Sequence, residues 1–199
     1  MKMKNNVLKI YLIIICSVIL FYNCPPPEGP PKGEYDKNFI WRFETGGQVN
    51  SSPIILNDVI YFGSNDGNFY AIDAQTGLEK WRFATKGEVQ SIPFIHDGVV
   101  YFGSDDNFFY AVDMETGQEK WKFETWNSIR SGALIYNGEV IFGSLDHFVY
   151  AVDAETGKKK WKFRTAGALY STPLIFGDKI YFGSEDYYLY VLDLSNLNK

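Results

Sequence analysis

The chain has 199 residues, 18% of them aromatic, and a formal net charge of −5. This length suits one domain with a sizeable core, and its 14 Tyr and 16 Phe favour strands over solvent-exposed helices. An acidic chain without a run of Lys or Arg lacks the basic surface that binds phosphate backbones, so we expect no nucleic-acid partner.

The first 23 residues have the pattern of an export signal. Lys2, Lys4 and Lys9 form a basic start, and a short apolar run follows over residues 10–22. Because this run is shorter than a typical transmembrane helix, residues 1–23 are predicted to be a signal peptide. A retained membrane anchor is the alternative.

Residues 24–38 are predicted to anchor the chain and to space it from a membrane. Cys24 follows Leu20-Phe-Tyr-Asn, which resembles a relaxed bacterial lipobox, and this resemblance implies lipidation of Cys24. Residues 25–33 are rich in proline, which predicts a stiff, extended spacer. The alternative is that Cys24 only ends the apolar segment. Cys16 is the only other cysteine, so residues 39–199 contain no disulfide.

From Trp41 onward the sequence repeats with a period of forty residues. The segment Trp-Arg-Phe-Glu-Thr at 41–45 returns at 81–85, 121–125 and 161–165, with substitutions at its second and fourth positions. Tyr-Phe-Gly-Ser at 61–64 returns in the same frame, and no insertion disturbs the spacing. A unit of forty residues cannot bury its own apolar face, so the repeats must stack on one another.

Each repeat is predicted to form four short strands. In the first full unit these are residues 49–56, 59–64, 68–73 and 78–85, separated by turn-forming Asn, Asp and Gly. Four antiparallel strands per unit are typical of one blade of a β-propeller, whereas a helical solenoid would need a 3.6-residue pattern. The predicted fold class is therefore all-β, a β-propeller of four four-stranded blades over residues 39–199.

Residues 71–81 read Ala-x-Asp-x-x-Thr-Gly-x-x-x-Trp, and the pattern recurs at 111–121 and 151–161. It resembles the tryptophan-docking motif of the quinoprotein-dehydrogenase-like propellers, which are built from PQQ-type repeats. A glycine permits the turn, while Asp and Thr can bond its backbone. The resemblance implies that each tryptophan lies flat between blades. The predicted docking residues are Trp41, Trp81, Trp121, Trp161, Asp73, Asp113, Asp153, Thr76, Thr116, Thr156, Gly77, Gly117 and Gly157.

The two ends of the repeat array match each other. Residues 39–45 are predicted to be a lone fourth strand, and residues 187–192 a third strand with no fourth strand after it. We expect residues 39–45 to complete the last blade and hide two sheet edges. Since propellers with the docking motif have about seven or eight blades, the alternative is that two chains exchange these strands in an eight-bladed dimeric ring. An open arc is the third possibility.

Positions that differ between repeats mark where function can be local. They fall on the connections between blades and on the turns between second and third strands, at one end of the blades. Exposed Trp and Arg often anchor partners, so Trp126 and Arg130 are predicted to form a contact point; the alternative is that Trp126 plugs the channel mouth. The candidate partner-binding residues are Trp126, Arg130, Tyr170, Lys86, Gln90, Asn50, His147 and Tyr187.

The sequence offers no pattern typical of a metal or cofactor site. One aspartate recurs in the Gly-Ser-x-Asp turn of every blade, and we expect it to cap that turn rather than to bind calcium. His96 and His147 have no second ligand at metal-binding spacing. We therefore expect no metal and no cofactor. The recurring aspartates are Asp66, Asp106, Asp146 and Asp186.

The overall plan suggests a protein-binding role. A signal, a lipidated cysteine, a spacer and a docking-motif propeller together resemble the lipoprotein propeller subunit of the outer-membrane β-barrel assembly machinery. The resemblance implies a non-enzymatic scaffold with protein partners, lipid-anchored at the periplasmic face of the outer membrane. No catalytic constellation of nucleophile, base and acid is evident. The alternatives are a small quinone-dependent oxidoreductase working as a dimer, and a surface ligand-binding propeller.

Overall fold

The computed structural model describes residues 38–196. The chain divides into two compact units, residues 1–40 and residues 41–199. The predicted signal peptide, Cys24 and all of the predicted spacer except its last residue lie outside the described residues. Within the described part, no helix is long and apolar enough to cross a membrane.

The second unit consists of antiparallel sheets, each formed by strands that are consecutive in the chain. We number the sheets as blades 1 to 4. Blade 1 contains β1 (Ile54–Leu56), β2 (Val59–Gly63), β3 (Asn68–Asp73) and β4 (Glu79–Ala84). Blade 2 contains β5 (Phe94–His96), β6 (Val99–Gly103), β7 (Phe108–Asp113) and β8 (Glu119–Glu124). Blade 3 contains β9 (Ala133–Tyr136), β10 (Glu139–Gly143), β11 (Phe148–Asp153) and β12 (Lys159–Arg164). Blade 4 contains β13 (Leu174–Phe176), β14 (Lys179–Gly183) and β15 (Leu189–Asp193), followed by a short 3₁₀ helix, Leu194–Asn196.

The burial of the strands explains why the blades stack. The middle strands of blades 1 to 3 are buried on both faces, whereas the outer strand β4 alternates between exposed and half-buried residues. A strand covered on both faces needs a packed neighbour on each side, which for blade 1 is blade 2 on one side and Trp41 and Phe43 on the other. Separate apolar clusters accordingly join blade 1 to 2, blade 2 to 3 and blade 3 to 4. The all-β propeller prediction is confirmed.

The first strand of each blade is shorter than predicted. In blade 1 the prediction was residues 49–56, but β1 covers only Ile54–Leu56. The residues before it connect neighbouring blades instead of pairing within the sheet. In blade 2, for example, Val89 is buried and its amide donates to the Ser64 carbonyl of blade 1 at 3.0 Å. Pro53 also removes one amide donor just before β1.

Aromatic rings and tryptophans hold the blades together. Phe69 of blade 1 stacks on Phe102 of blade 2 with ring centroids 4.2 Å apart. Trp81 lies over Gly117, whose φ is +71°, and a Cβ there would approach the indole ring to 2.8 Å. Glycine is therefore required both by the turn and by the closeness of the ring. The same stacking recurs between Phe109 and Phe142 at 3.9 Å.

The last blade differs from the prediction. Within the described residues blade 4 has three strands, and residues 41–45 form no strand with β15. These residues lie against blade 1, where Trp41 covers Gly77 and Phe43 packs against Phe62 and Tyr70. The expectation that residues 39–45 complete the last blade of their own chain is wrong for this structure. The physical reason is that the side chains of this segment are engaged by blade 1, while Leu189 and Val191 on β15 remain exposed.

Replacing a docking tryptophan should destabilise the propeller. Trp121 is 8% exposed, so Trp121→Ala should lower the free energy of unfolding by about 3–5 kcal/mol, the usual cost of truncating a buried aromatic residue. Trp126 is 85% exposed, and Trp126→Ala should change the same quantity by less than about 0.5 kcal/mol. Urea unfolding of both variants measures the difference. Equal unfolding midpoints would contradict the structural role of Trp121.

Candidate functional site

The turns of each blade lie at two opposite ends. At one end, the Thr85 amide donates to the Gly67 carbonyl at 2.8 Å, joining the end of β4 to the β2–β3 turn. At the other end, the Ala74 amide donates to the Asp58 carbonyl at 2.9 Å, joining the β3–β4 turn to the β1–β2 turn. We call the first end the variable face. It comprises the β2–β3 turns, residues 64–67 and their repeats, and the connections between blades, residues 45–51 and their repeats.

One aspartate per blade organises the variable face. In blade 1, Asp66 Oδ2 accepts hydrogen bonds from the Gly46 amide at 2.8 Å and from the Tyr70 hydroxyl at 2.7 Å. Its Oδ1 accepts from the Asn68 amide at 2.9 Å, which caps the β2–β3 turn as predicted. One carboxylate therefore ties the start of a blade connection to the turn and the third strand of the next blade. Asp106, Asp146 and Asp186 repeat this arrangement.

The hydrogen bonds set the ionisation of this aspartate and its tyrosine. Partial burial opposes the charge on Asp66, but hydrogen bonds from Tyr70 and from the Asn68 and Gly46 amides outweigh it and lower the pKa of Asp66. Burial and the hydrogen bond to the Asp66 carboxylate raise the pKa of Tyr70 to about 12. At neutral pH the aspartate is therefore a carboxylate and the tyrosine a neutral donor.

Trp126 is displayed by this arrangement. Its amide donates to Asp146 Oδ2 at 3.0 Å, which fixes the backbone, while its side chain is 85% exposed. The alternative, that Trp126 plugs the mouth of a closed channel, stays a prediction. Lys86 and Ala166 occupy the same position in neighbouring repeats and are also exposed. A rigid backbone with an exposed indole suits contact with another protein.

Arg130 lies beside Trp126 in sequence but is held in an ion pair between blades. Its Nε and one terminal nitrogen donate to the two Asp105 carboxylate oxygens at 2.9 and 2.6 Å. This hydrogen bonding raises the pKa of Arg130, and burial opposes the rise. Tyr170 and Glu88 also lie close enough to act on its charge. Arg130 thus presents a half-buried guanidinium already paired with a carboxylate.

The remaining predicted residues are distributed over the same face. Asn50, Lys86 and Tyr170 are exposed, and the Gln90 amide donates to the Glu88 carboxylate. His147 is half-buried and Tyr187 is 99% exposed; both have φ near +73°, the conformation that Gly67 adopts in blade 1.

The sequence pattern did not single out Asp105 as a functional residue. It was one of several variable positions, with Asn65 as its counterpart in blade 1. Asp105 lies 25 residues before Arg130, on the β6–β7 turn, whereas Arg130 lies on the connection that leads into the next blade. That spacing is the sequence signal that could have linked the two side chains. Asn65 Oδ1, by contrast, is a buried acceptor without a hydrogen-bond partner among the described residues.

The acidic and histidine side chains of the described residues lie apart from one another or are engaged in other contacts. In residues 38–196 no three His, Cys, Asp or Glu side chains lie together as metal ligands would. His96 instead contacts the carboxylate of Asp97 at 3.2 Å. The recurring aspartates already accept several hydrogen bonds each, so they do not offer a calcium ion a shared set of oxygens.

Removing one of these aspartates should loosen the variable face. Asp146→Ala leaves the Trp126 and Phe148 amides and the Tyr150 hydroxyl without their acceptor, which should cost about 2–3 kcal/mol of unfolding free energy. Glu155→Ala is the matched control, because Glu155 is exposed, and it should cost less than about 0.5 kcal/mol. Urea unfolding gives both values. An unchanged midpoint for Asp146→Ala would contradict the clamping role.

Comparisons with known structures agree with this architecture. BamB from Moraxella catarrhalis superposes with a TM-score of 0.69 at 20% identity, over 78% of this chain and 50% of BamB. The computationally designed Ika4 protein superposes with a TM-score of 0.68 at 17% identity, over 76% of this chain and 94% of Ika4. Quinohemoprotein alcohol dehydrogenase from Comamonas testosteroni gives 0.65 at 18% identity, over 74% of this chain and 33% of the enzyme. At these identities the likeness shows the fold.

The chain thus spans about half the length of Moraxella BamB and a third of the dehydrogenase. A search among curated protein sequences gives no significant match. The family model described as outer membrane protein assembly factor BamB matches residues 35–144 and 125–199, which together cover every blade. With its PQQ-type repeats and its docking tryptophans, the chain belongs to the family of outer membrane protein assembly factor BamB.

Proposed function

We propose that this chain is a non-enzymatic, exported lipoprotein that binds a protein partner in outer-membrane protein assembly. The family to which it belongs supports this role. The observation that carries the proposal is Trp126, whose backbone is fixed by Asp146 while its indole stays exposed. Burying an exposed indole against a partner is a common source of binding free energy.

The rest of the variable face supplies the surroundings of such a contact. Tyr170 is exposed one blade along, in the connection between blades 3 and 4, and the Arg130–Asp105 pair fixes the surface between blades 2 and 3. Lys86, Asn50 and Gln90 add polar groups at equivalent positions, and His147 and Tyr187 lie on the β2–β3 turns of blades 3 and 4. An aromatic centre with a polar rim is the usual composition of a protein-binding surface. We place the partner on this face.

The membrane attachment is the second part of the proposal. Lipidation of Cys24 would hold the protein at the periplasmic face of the outer membrane, and the proline-rich residues 25–33 would keep the propeller clear of the lipid headgroups. Export before attachment requires residues 1–23 as a signal peptide.

Crosslinking from the variable face tests the partner. A photoreactive amino acid in place of Trp126 in the full chain should crosslink a component of the outer-membrane β-barrel assembly machinery in the cell envelope. The matched control is the same amino acid in place of Leu78, which is 69% exposed and follows the turn at the opposite end of blade 1. Trp126→Ala should weaken binding to that component by about 30-fold. Equal crosslinking from both positions would contradict a partner on the variable face.

The enzymatic alternative gives a different result. Quinoprotein dehydrogenases share the fold, so the full chain should be titrated with pyrroloquinoline quinone and calcium. The described residues do not offer calcium a set of three acidic or other metal-binding side chains, and we expect no saturable binding. Saturable binding with dye-linked dehydrogenase activity would overturn the scaffold role. Cleavage of the protein by a protease added to intact cells would place it on the cell surface and so indicate the surface ligand-binding alternative.

Replacing Cys24 tests the anchor. Cys24→Ala removes the only thiol that can carry the lipid after the signal is cleaved, so the protein should move from the membrane fraction to the soluble fraction or remain unprocessed. Cys16→Ala is the matched control, because Cys16 lies within the predicted signal and should leave fractionation unchanged. Membrane fractionation of Cys24→Ala identical to that of the parent protein would contradict lipidation.

A further inference from the structure

Two surfaces at opposite ends of the blade array complement each other as the two sides of a contact between neighbouring blades do. The first, which we call the leading segment, is residues 41–49, lying against blade 1. The second, which we call the trailing edge, is the side of β15 that faces away from β14, around Leu189 and Val191, together with Gly183 of blade 4.

The leading segment has the contacts of a fourth strand that belongs to a blade before blade 1. Trp41 covers Gly77 as Trp81 covers Gly117, and Phe43 packs against Phe62 and Tyr70 as Phe83 packs against Phe102 and Tyr110. The Gly46 amide donates to Asp66 as its counterparts do in every later blade. This segment is therefore seated as the outer strand of a blade whose other strands are not supplied by its own chain within the described residues.

At the trailing edge, apolar positions that the next blade covers in blades 1 to 3 are left uncovered. Leu189 is 71% exposed, whereas the residues at its position in the other blades, Phe69, Phe109 and Val149, are fully buried by the following blade. The space in front of Gly183 is a second position without an apolar neighbour. In blades 1 to 3 the equivalent glycine is filled by an apolar side chain of the next blade, whereas near Gly183 only Ser171 approaches. The three filled pairs are Gly63 with Val89, Gly103 with Ile129 and Gly143 with Leu169.

The leading segment carries the side chain that fits the space in front of Gly183. Val49 occupies the repeat position of Val89, Ile129 and Leu169, all of which are buried, yet Val49 itself is exposed. An apolar residue left exposed at one end and an unfilled glycine at the other complete one interior contact when they meet.

The register of the pairing follows from the other blades. Phe69 pairs with Phe83 and Ala71 with Trp81 in blade 1, and blades 2 and 3 keep this register. The same register places Leu189 opposite Phe43, and Val191 opposite Trp41. It also places the Thr45 amide at the Tyr187 carbonyl, where the Thr85, Thr125 and Thr165 amides donate to Gly67, Asn107 and His147 in turn.

We propose that the leading segment of one copy of this chain completes blade 4 of a second copy, and reciprocally, so that two chains close one ring of eight blades. Among residues 38–196 both surfaces remain open, as described above. The size agrees with this arrangement, because this chain superposes on 50% of Moraxella BamB, so that two copies match the length of that protein. A two-fold axis through the ring makes the two junctions identical, and neither edge is left unpaired.

A disulfide between copies tests the proposed register. Glu44 and Tyr188 stand at the positions of the cross-strand pairs Phe108–Glu124 and Phe148–Arg164, so cysteines there would face each other across the junction. Two full-length copies with different tags are co-exported, one carrying Glu44→Cys and the other Tyr188→Cys. Non-reducing electrophoresis should show a heterodimer carrying both tags that disappears on reduction. Lys179→Cys in place of Tyr188→Cys is the control, because Lys179 is exposed on blade 4 away from this edge, and it should give no heterodimer.

The outcomes separate the possible occupants of the trailing edge. A heterodimer with Tyr188→Cys but not with Lys179→Cys supports exchange between two copies. A chain that carries both Glu44→Cys and Tyr188→Cys and crosslinks only within itself would overturn the proposal in favour of closure in one chain. Absence of any 44–188 disulfide would overturn it in favour of another occupant.

A surface substitution supplies an independent readout. Leu189→Asp should leave the single chain folded, since the side chain is 71% exposed there, but it buries a charge between Phe43 and Phe62 of the second copy. The dimer dissociation constant should rise by about 100-fold. Leu78→Asp, at 69% exposure, is the matched control and should leave it unchanged. A native mass of one chain for the parent protein, or an equal effect of both substitutions, would overturn the proposal.

Discussion

The contact between neighbouring blades is the interaction on which the rest of this structure depends. The contact between blades 1 and 2 combines a tryptophan over a glycine, a stacked ring pair and an aliphatic side chain against a second glycine: Trp81 with Gly117, Phe69 with Phe102, and Val89 with Gly63. Blades 2 and 3 repeat this set, and blades 3 and 4 keep the aliphatic side chain against the glycine. Because every blade contributes one half of a contact on each side, a blade alone leaves apolar surface exposed. The free energy of unfolding therefore depends on all the contacts between blades together. A blade at either end of the array keeps one face that can pack against a further blade.

The same contact supports the proposed binding surface. The aspartate of each β2–β3 turn accepts a hydrogen bond from the amide at the start of the preceding blade connection, so stacking the blades also fixes the positions of the variable residues. Substitution at those positions leaves the backbone hydrogen bonds in place, which explains how Lys86, Trp126 and Ala166 can share one geometry. In a two-fold ring both copies of this face point the same way, so a partner with two sites could engage two Trp126 side chains with increased avidity.

The forty-residue period was sufficient to predict the blades, the turns and the two ends of each blade, because packing repeats with the sequence. It was insufficient where residues act across blades. The first strands are shorter than their apolar runs because Val89 and its counterparts pack between blades, which an apolar pattern cannot distinguish from strand pairing. Arg130 was predicted to form a contact point with Trp126, and its pairing with Asp105 requires the neighbouring blade to be in place. The expectation that residues 39–45 complete the last blade of their own chain was wrong, because these residues pack on blade 1 and pair with no strand of blade 4.

The central claim is that matched halves of one repeated contact leave no edge of the assembled propeller open. Hydrogen–deuterium exchange of the full chain, read over the peptide that contains β15, tests it most directly, because an edge strand exchanges quickly and a paired strand slowly. We expect β15 to be protected as strongly as β11 in the parent protein and to lose that protection in Leu189→Asp. Rapid exchange of β15 in the parent protein, with β11 protected, would contradict it.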